Sequence, residues 1–237
     1  EVLNSRQEVN FLWSSSAWLN NIADGDVVTQ RNAYNATTAN RYIFTFADKD
    51  NDMLVDNGEM QTFAWPPANI DGTSLTVNAN LGNSTDFYAY LTLYPSFSDT
   101  PSNINSLRSS DPTGFASLLT ELARRQIDYI RGADQNATTI AGYALNATRS
   151  RVYAEDNTAT LTWRLGDVVY STPTVVGKPA ENYNLIYLDR SYENFLQQYR
   201  NRRQMVYVGA NDGMLHAFNG GFYNSTRKGF DRQHSGE

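Results

Sequence analysis

Five carboxylate side chains lie close together in one short stretch of the first half of the chain: Asp48, Asp50, Asp52, Asp56 and Glu59. With Asp48 as position 1 of a loop, they occupy positions 1, 3, 5, 9 and 12, and the carbonyl group of Leu54 occupies position 7. Calcium loops of the EF-hand type use this spacing to turn hard oxygen ligands toward one cation. Without a cation the carboxylates would repel one another. The sequence therefore predicts a Ca2+ site formed by Asp48, Asp50, Asp52, Leu54, Asp56 and Glu59.

This acidic loop departs from the EF-hand pattern in two respects. Position 6 is Met53 rather than glycine, and the positive φ of a sharp turn there would cost a methionine about 1 kcal/mol. The flanking stretches, residues 41–46 and 60–65, read as strands, and Pro66 and Pro67 stop the second one. We therefore expect the ion to stabilise a β-hairpin rather than to operate a helical switch. The alternative is a solvated acidic turn that binds no metal.

The elements around this hairpin are predicted from periodicity. Residues 74–78 and 87–94 alternate like strands. The strongest helix covers residues 111–130, with Asp111 as its N-cap, Pro112 in its first turn and Gly132 at its end. Its expected apolar face consists of Phe115, Leu118, Leu119, Leu122, Ile127 and Ile130, with Arg124 and Arg125 outside it.

A short helix is expected near the N-terminus, where the apolar residues 11, 12, 18, 19 and 22 fit a helical face. Residues 14–16 are serines and supply its cap. Trp13 and Trp18 flank this start. We interpret them as an aromatic anchor on the core; the alternative is a pair that binds carbohydrate, and their spacing does not separate the two.

The last third of the chain predicts a tight hairpin. Residues 204–210 and 214–219 are apolar-rich, and Asn211, Asp212 and Gly213 lie between them; an Asp-Gly turn is a strong hairpin signal because glycine supplies positive φ. A further strand is expected over residues 167–176 with Pro173 inside it, which places it at a sheet edge or at a bulge. Such short antiparallel strands predict one blade of a β-propeller.

A polar insert, residues 178–203, interrupts this blade. Tyr192, Phe195, Leu196 and Tyr199 follow helical spacing. Loops on one rim of a propeller carry recognition, and the insert ends in three arginines, Arg200, Arg202 and Arg203, that suit an acidic partner. A solvated rim is the alternative.

Composition narrows the possible functions. The 237 residues contain no cysteine, 13% aromatic residues and a net charge of −6, which favours a strand-rich fold and disfavours nucleic acid as a partner. No apolar run approaches the length of a transmembrane segment. The two histidines, His216 and His234, have no motif of a catalytic triad or zinc site around them, and we expect His216 to be a packing residue. No enzymatic activity is predicted.

Two segments of the last third resemble the PilC/PilY family. Residues 163–177 read WRLGDVVYSTPTVVG, and residues 201–221 read NRRQMVYVGANDGMLHAFNGG. They are similar to the start of the C-terminal propeller in these type IV pilus tip-associated adhesins and biogenesis factors. The hairpin alone also resembles quinoprotein-like propellers.

The resemblance implies a non-enzymatic protein that is exported to the bacterial cell surface, the pilus tip, the outer membrane or the periplasm. It implies minor pilins as partners, an unknown receptor on a host or abiotic surface, and roles in pilus assembly, adhesion and twitching motility. It also implies a link between calcium and pilus extension, although the calcium loop of family members often lies farther along the propeller. The alternatives are a quinoprotein-like enzyme fragment and a glycan-binding surface module.

The expected fold is therefore mainly β with a few helices, an α+β protein with antiparallel sheets. Residues 1–155 are predicted to form a mixed region around the calcium-loop hairpin. Residues 156–237 are predicted to form the first blade of a β-propeller with a helical insert at 178–203. One blade cannot close a ring, so we expect the chain to be part of a larger protein.

Overall fold

The computed structural model describes residues 13–29, 41–46, 52–54, 56, 59–65, 68–69, 101–155, 159–224, 226 and 229–231. The chain divides into two compact units. One unit is Asn20–Arg164, and the other combines the residues up to Leu19 with those from Leu165 onward. The predicted strands at 74–78 and 87–94 lie outside the described residues.

The described elements confirm a mixed fold with small antiparallel sheets. Up to residue 164 they are α1 Ser15–Asn20, α2 Asp24–Val28, β1 Phe44–Phe46, β2 Met60–Thr62, β3 Ala68–Asn69, α3 Pro101–Ser110, α4 Pro112–Arg131, β4 Thr138–Ile140, β5 Tyr143–Leu145, β6 Val152–Glu155 and β7 Ala159–Thr162. Beyond it they are β8 Thr174–Val176, α5 Tyr183–Ile186, α6 Arg190–Tyr199, β9 Gln204–Gly209, β10 Leu215–Asn224 and β11 Gly229–Asp231.

Helix α4 is the predicted long helix, and its ends are those that the sequence indicates. The carboxylate of Asp111 accepts a hydrogen bond of 2.9 Å from the backbone N–H of Gly114. Gly132 ends the helix at φ 116°, in the left-handed region that glycine adopts without strain. Burying the apolar face of this helix is the main source of its stability, since helical propensity alone is weak.

The buried face of α4 forms the core of the unit Asn20–Arg164. One cluster joins it to α3 and to the β4–β5 hairpin: Leu107, Phe115, Leu118, Leu119, Leu122 and Leu145. A second cluster packs Ile127 against Phe63, which follows β2. The predicted face is wrong at two positions. Ile130 is 39% exposed, whereas the side chain of Arg125 is buried at the edge of the apolar stripe.

The predicted hairpin around the acidic loop is present and its strands are shorter than expected. Strands β1 and β2 pair antiparallel, with Phe44 opposite Thr62 and Phe46 opposite Met60. Strand β3 adds to the other side of β2, after the two prolines. The acidic loop therefore joins two paired strands, and its ends are held together by their hydrogen bonds.

The N-terminal helix is confirmed as the short α1. The hydroxyl of Ser14 accepts a hydrogen bond of 3.2 Å from the N–H of Ala17, as an N-cap does. Leu19 and Ile22 are buried, whereas Trp13 and Trp18 are each about two fifths exposed. Aliphatic residues, rather than the two tryptophans, therefore make the buried contacts of this stretch.

The last third forms a four-stranded antiparallel sheet in the order β11-β10-β9-β8. Consecutive strands along the chain are neighbours in the sheet, which is the meander expected of one propeller blade. Strand β8 lies at an edge, as predicted, but it begins after Pro173 and residues 167–173 are not strand. A proline cannot donate to a ladder, which explains why pairing starts only beyond it.

Candidate functional site

The described part of the acidic loop forms a compact turn. A side-chain oxygen of Asp52 accepts a hydrogen bond of 2.7 Å from the N–H of Leu54, which closes a local Asx turn. Met53, at position 6 of the loop, adopts φ 61°. The residue at which the calcium-loop pattern places glycine is therefore left-handed, and methionine takes on a backbone strain of about 1–2 kcal/mol there.

Glu59, the last residue of the predicted ligand set, is turned into the protein. It is 3% exposed, and its carboxylate accepts a hydrogen bond of 2.9 Å from the N–H of Asp56. The backbone N–H of Glu59 donates in turn to the carbonyl of Asp56 at 3.2 Å. These paired bonds bring the ninth and twelfth positions of the loop together.

Asp48 and Asp50 lie outside the described residues, so the complete ligand set of Asp48, Asp50, Asp52, Leu54, Asp56 and Glu59 stays a prediction. Within the part of the chain that the structure describes, no group of three acidic, histidine or cysteine side chains is placed to hold a metal ion. The structure thus brings Asp56 and Glu59 together, and places Asp52 and Leu54 in the exposed turn between the strands.

The predicted turn of the blade hairpin is confirmed. Gly213 has φ 78°, and the N–H of Ala210 donates to the carbonyl of Met214 at 3.1 Å. The carboxylate of Asp212 accepts from the N–H of Met214 at 3.0 Å and from the N–H of Gly166 at 3.2 Å. A Cβ atom on Gly166 would lie 2.7 Å from that carboxylate, so only glycine allows this approach. The turn is thereby tied to the segment that precedes β8.

His216 is buried in β10 and is not placed as a catalytic base. Its ring lies parallel to that of Phe218, with centroids 5.8 Å apart, and its Nε2 atom lies 2.9 Å from the carboxylate of Asp212. No serine or other nucleophile among the described residues is hydrogen-bonded to it. Its contacts are those of a packing residue that holds the turn.

The helical insert exposes a set of large apolar side chains, which we call the insert surface: Tyr183, Leu185, Ile186, Tyr187, Leu188, Phe195 and Tyr199. Their exposed fractions run from 37% at Tyr199 to 83% at Leu188. No residue of α5 or α6 is buried. Ring contacts such as Tyr183 with Tyr192, at 5.2 Å between centroids, hold the two helices to each other.

Three buried arginines organise the unit Asn20–Arg164, and the sequence reasoning missed them. Arg131 donates to the carbonyl oxygens of Val27, Phe63, Thr29 and Arg41. Arg125 donates to those of Asn136 and Asn146, and Arg164 to those of Ile22 and Gly132.

Burial lowers the pKa of the Arg131 guanidinium to about 10, because the charged form loses hydration. The carbonyl groups around it replace that hydration, so the side chain ties together three segments: the end of α2, the stretch before β1 and the stretch after β2. A sequence signal existed for Arg125, which lies three and seven residues after the core positions Leu122 and Leu118. A charged residue at the spacing of buried positions has to be hydrogen-bonded if the fold buries it.

Within the described ranges, no helix is long and apolar enough to cross a membrane.

Residues 165–235 match the family described as the PilY1 beta-propeller domain. This range begins at the segment tied to Asp212 and contains the whole four-stranded sheet with its insert. The match confirms the resemblance and agrees with the blade-like order of the strands.

The chain is also similar to curated proteins. It is 42% identical over 69 residues to the type IV pilus biogenesis factor PilY1 of Pseudomonas aeruginosa strain PAO1. The aligned residues cover 27% of this chain and 6% of that protein. It is 35% identical over 103 residues to a PilY1 homolog of Xylella fastidiosa, covering 42% of this chain and 7% of that protein. The chain thus spans a small part of the relatives that it matches. No solved structure matches the chain significantly.

Proposed function

From the match of residues 165–235 to the PilY1 beta-propeller domain, we propose that the chain is a non-enzymatic part of an exported type IV pilus biogenesis protein. The observation that carries the proposal is this match, which covers a range that folds as one four-stranded antiparallel meander. The proposed roles are pilus assembly, surface adhesion and twitching motility, at the cell surface or the pilus tip. The proposed partners are minor pilins and an unidentified receptor on a host or abiotic surface.

A genetic experiment tests this role. Deletion of the gene in the bacterium that encodes the chain is expected to reduce the number of surface pili and the diameter of twitching zones. Complementation with the wild-type gene should restore both. Unchanged piliation and twitching in the deletion strain would contradict the proposal.

We also propose that the acidic loop binds Ca2+ and stabilises the β1–β2 hairpin. Three features support this: the ligand spacing, the left-handed backbone of Met53 at position 6, and the inward-turned carboxylate of Glu59. In this proposal, the carboxylates of Asp48, Asp50, Asp52, Asp56 and Glu59 and the carbonyl of Leu54 are the ligands. The ion then offsets the mutual repulsion of the carboxylates.

The calcium proposal is tested by thermal unfolding of the chain with EGTA and with added Ca2+. A ligand at a hundred times its Kd stabilises the folded state by about 2.7 kcal/mol, so calcium should raise the Tm by several degrees. The double variant Asp50→Ala with Asp52→Ala should lose this response, whereas the exposed control Asp26→Ala should keep it. A calcium response that survives the double substitution would assign the ion to another site.

A further inference from the structure

The insert surface is too apolar to be a solvated rim. Leu185, Ile186, Tyr187 and Leu188 are consecutive, and each is more than 60% exposed. Single exposed apolar residues are ordinary, but contiguous exposed apolar patches mark sites of interaction. Ring contacts hold α5 and α6 together, since Tyr183 and Tyr192 lie 5.2 Å apart between centroids.

Positive charge surrounds this surface. Residues 178–203 hold Lys178 and four arginines against Glu181, Asp189 and Glu193, a formal charge of +2 in a chain whose net charge is −6. Among the described residues, no carboxylate lies within ion-pair distance of Arg190, Arg200 or Arg202. The guanidinium group of Arg202 lies 5.9 Å from the ring of Tyr199, which places a cation at the edge of the apolar patch.

We infer that the insert surface docks an acidic segment of a partner protein, one that carries large apolar side chains between its carboxylates. The apolar side chains would bury Leu185, Ile186, Tyr187 and Leu188, and the carboxylates would pair with Arg200 and Arg202. Arginine favours such pairing because its planar group donates two parallel hydrogen bonds to one carboxylate. The inference deepens the proposed function and rests on it only for naming a minor pilin as the partner.

The composition of the insert favours a protein over the other occupants. Its five aromatic residues are four tyrosines and one phenylalanine, and four of its five cations are arginines. Tyrosine and arginine are enriched in the cores of protein interfaces, where lysine is depleted. A second copy would bring the same positive charge against this one.

The test uses the whole chain and three labelled amphipathic helical peptides with the same leucines, whose polar faces carry glutamate, glutamine or lysine. Fluorescence anisotropy should show that the glutamate peptide binds at least about tenfold more tightly than the glutamine peptide, and that the lysine peptide does not bind. Salt near 1 M should weaken the glutamate complex, since the Debye length is then about 3 Å.

Two variants and two matched controls locate the site. Ile186→Asp and the double variant Arg200→Glu with Arg202→Glu should each weaken binding of the glutamate peptide by about tenfold or more. Leu215→Asp, at another exposed leucine, and Arg149→Glu, at another exposed arginine, should leave it unchanged. Circular dichroism checks that all four variants fold.

Several results would overturn the inference. Equal binding of the glutamate and glutamine peptides, no binding, or unchanged binding by both insert variants would each do so. So would binding to phosphatidylglycerol vesicles without any preference for the acidic peptide, or a dimer in ultracentrifugation that Ile186→Asp dissociates. A deletion strain with normal pili would refute the proposed function and leave the peptide result standing, whereas failed peptide binding in a protein required for pili would refute the docking surface alone.

Discussion

Helices α4 and α6 begin in the same way and have different surroundings. Each is amphipathic and each starts at an aspartate, Asp111 or Asp189, whose carboxylate accepts hydrogen bonds from the first backbone N–H groups. Helix α4 buries nine of its residues, whereas α6 buries none. The apolar face of α4 is thus used by the fold itself, while that of α6 stays available to another molecule. A similar sequence pattern therefore serves stability in one region and, by our inference, recognition in the other.

The largest expected effect comes from removing the arginine at the end of α4. Arg131→Ala would leave four carbonyl groups without their donor, and we expect a loss of roughly 3–5 kcal/mol in the free energy of unfolding. Urea denaturation measures it. Arg131→Lys should retain only part of this free energy of unfolding, because one ammonium group cannot reach all four carbonyl oxygens. The exposed control Arg149→Ala should change stability by less than about 0.5 kcal/mol, and a similar loss in both alanine variants would contradict the structural role of Arg131.

Substituting one isoleucine in each helical region compares their contributions to stability directly. Ile127 in α4 is fully buried, and Ile127→Ala should cost about 2–5 kcal/mol. Ile186 in α5 is 64% exposed, and Ile186→Ala should cost less than about 0.5 kcal/mol. Thermal and urea unfolding of both variants give the difference. Equal losses would mean that the insert surface is covered by the chain itself.

The two N-caps provide a finer comparison. Asp111→Ala should destabilise the protein by about 1 kcal/mol, because α4 unfolds only together with its core. Asp189→Ala should leave global unfolding unchanged and lower only the helical signal of the insert, since α6 buries none of its own residues. Urea denaturation and hydrogen exchange distinguish global from local opening. A global loss from the second variant would tie α6 to the stability of the blade.

The smallest effect is a dependence on pH within α4. The hydrogen bond from Arg124 lowers the pKa of Glu121 below its ordinary value of 4.5. Its carboxylate therefore contributes stability above pH 4.5, and this contribution disappears as the pH falls through the lowered pKa. Glu121→Gln should accordingly be less stable than the wild type at neutral pH, with a difference that shrinks in acid.

Asp128, in the same helix, gives the opposite dependence of stability on pH. Burial raises the pKa of this carboxyl group above its ordinary value, in spite of the ion pair with Arg124. Its ionisation therefore weakens the folded state as the pH rises through the raised pKa. Urea denaturation of Glu121→Gln and Asp128→Asn across the acid range should show opposite trends, and parallel trends would contradict these assignments.

Local signals were sufficient for the elements whose caps and turns carry distinctive residues. The Asp111 cap, the Gly132 stop and the Gly213 turn are fixed by side-chain chemistry and by the freedom of glycine at positive φ, which need no distant partner. The strand predicted over residues 167–176 was too long, because alternation does not show where a pairing partner ends. The carbonyl groups that Arg125 and Arg131 bind come from segments far apart in the chain, so periodicity cannot reveal them.

For the candidate sites, the order of residues by itself determined the spacing of the acidic loop, the Asp-Gly hairpin and the resemblance of the last third. These depend on contacts between near neighbours in the chain. Only the tertiary structure decided that Glu59 turns inward, that Asp212 holds Gly166 and His216, and that the apolar face of α6 is left exposed while that of α4 is buried. The physical reason is that burial of an apolar face depends on which distant segments pack against it. An amphipathic pattern shows only that one face of a helix is apolar.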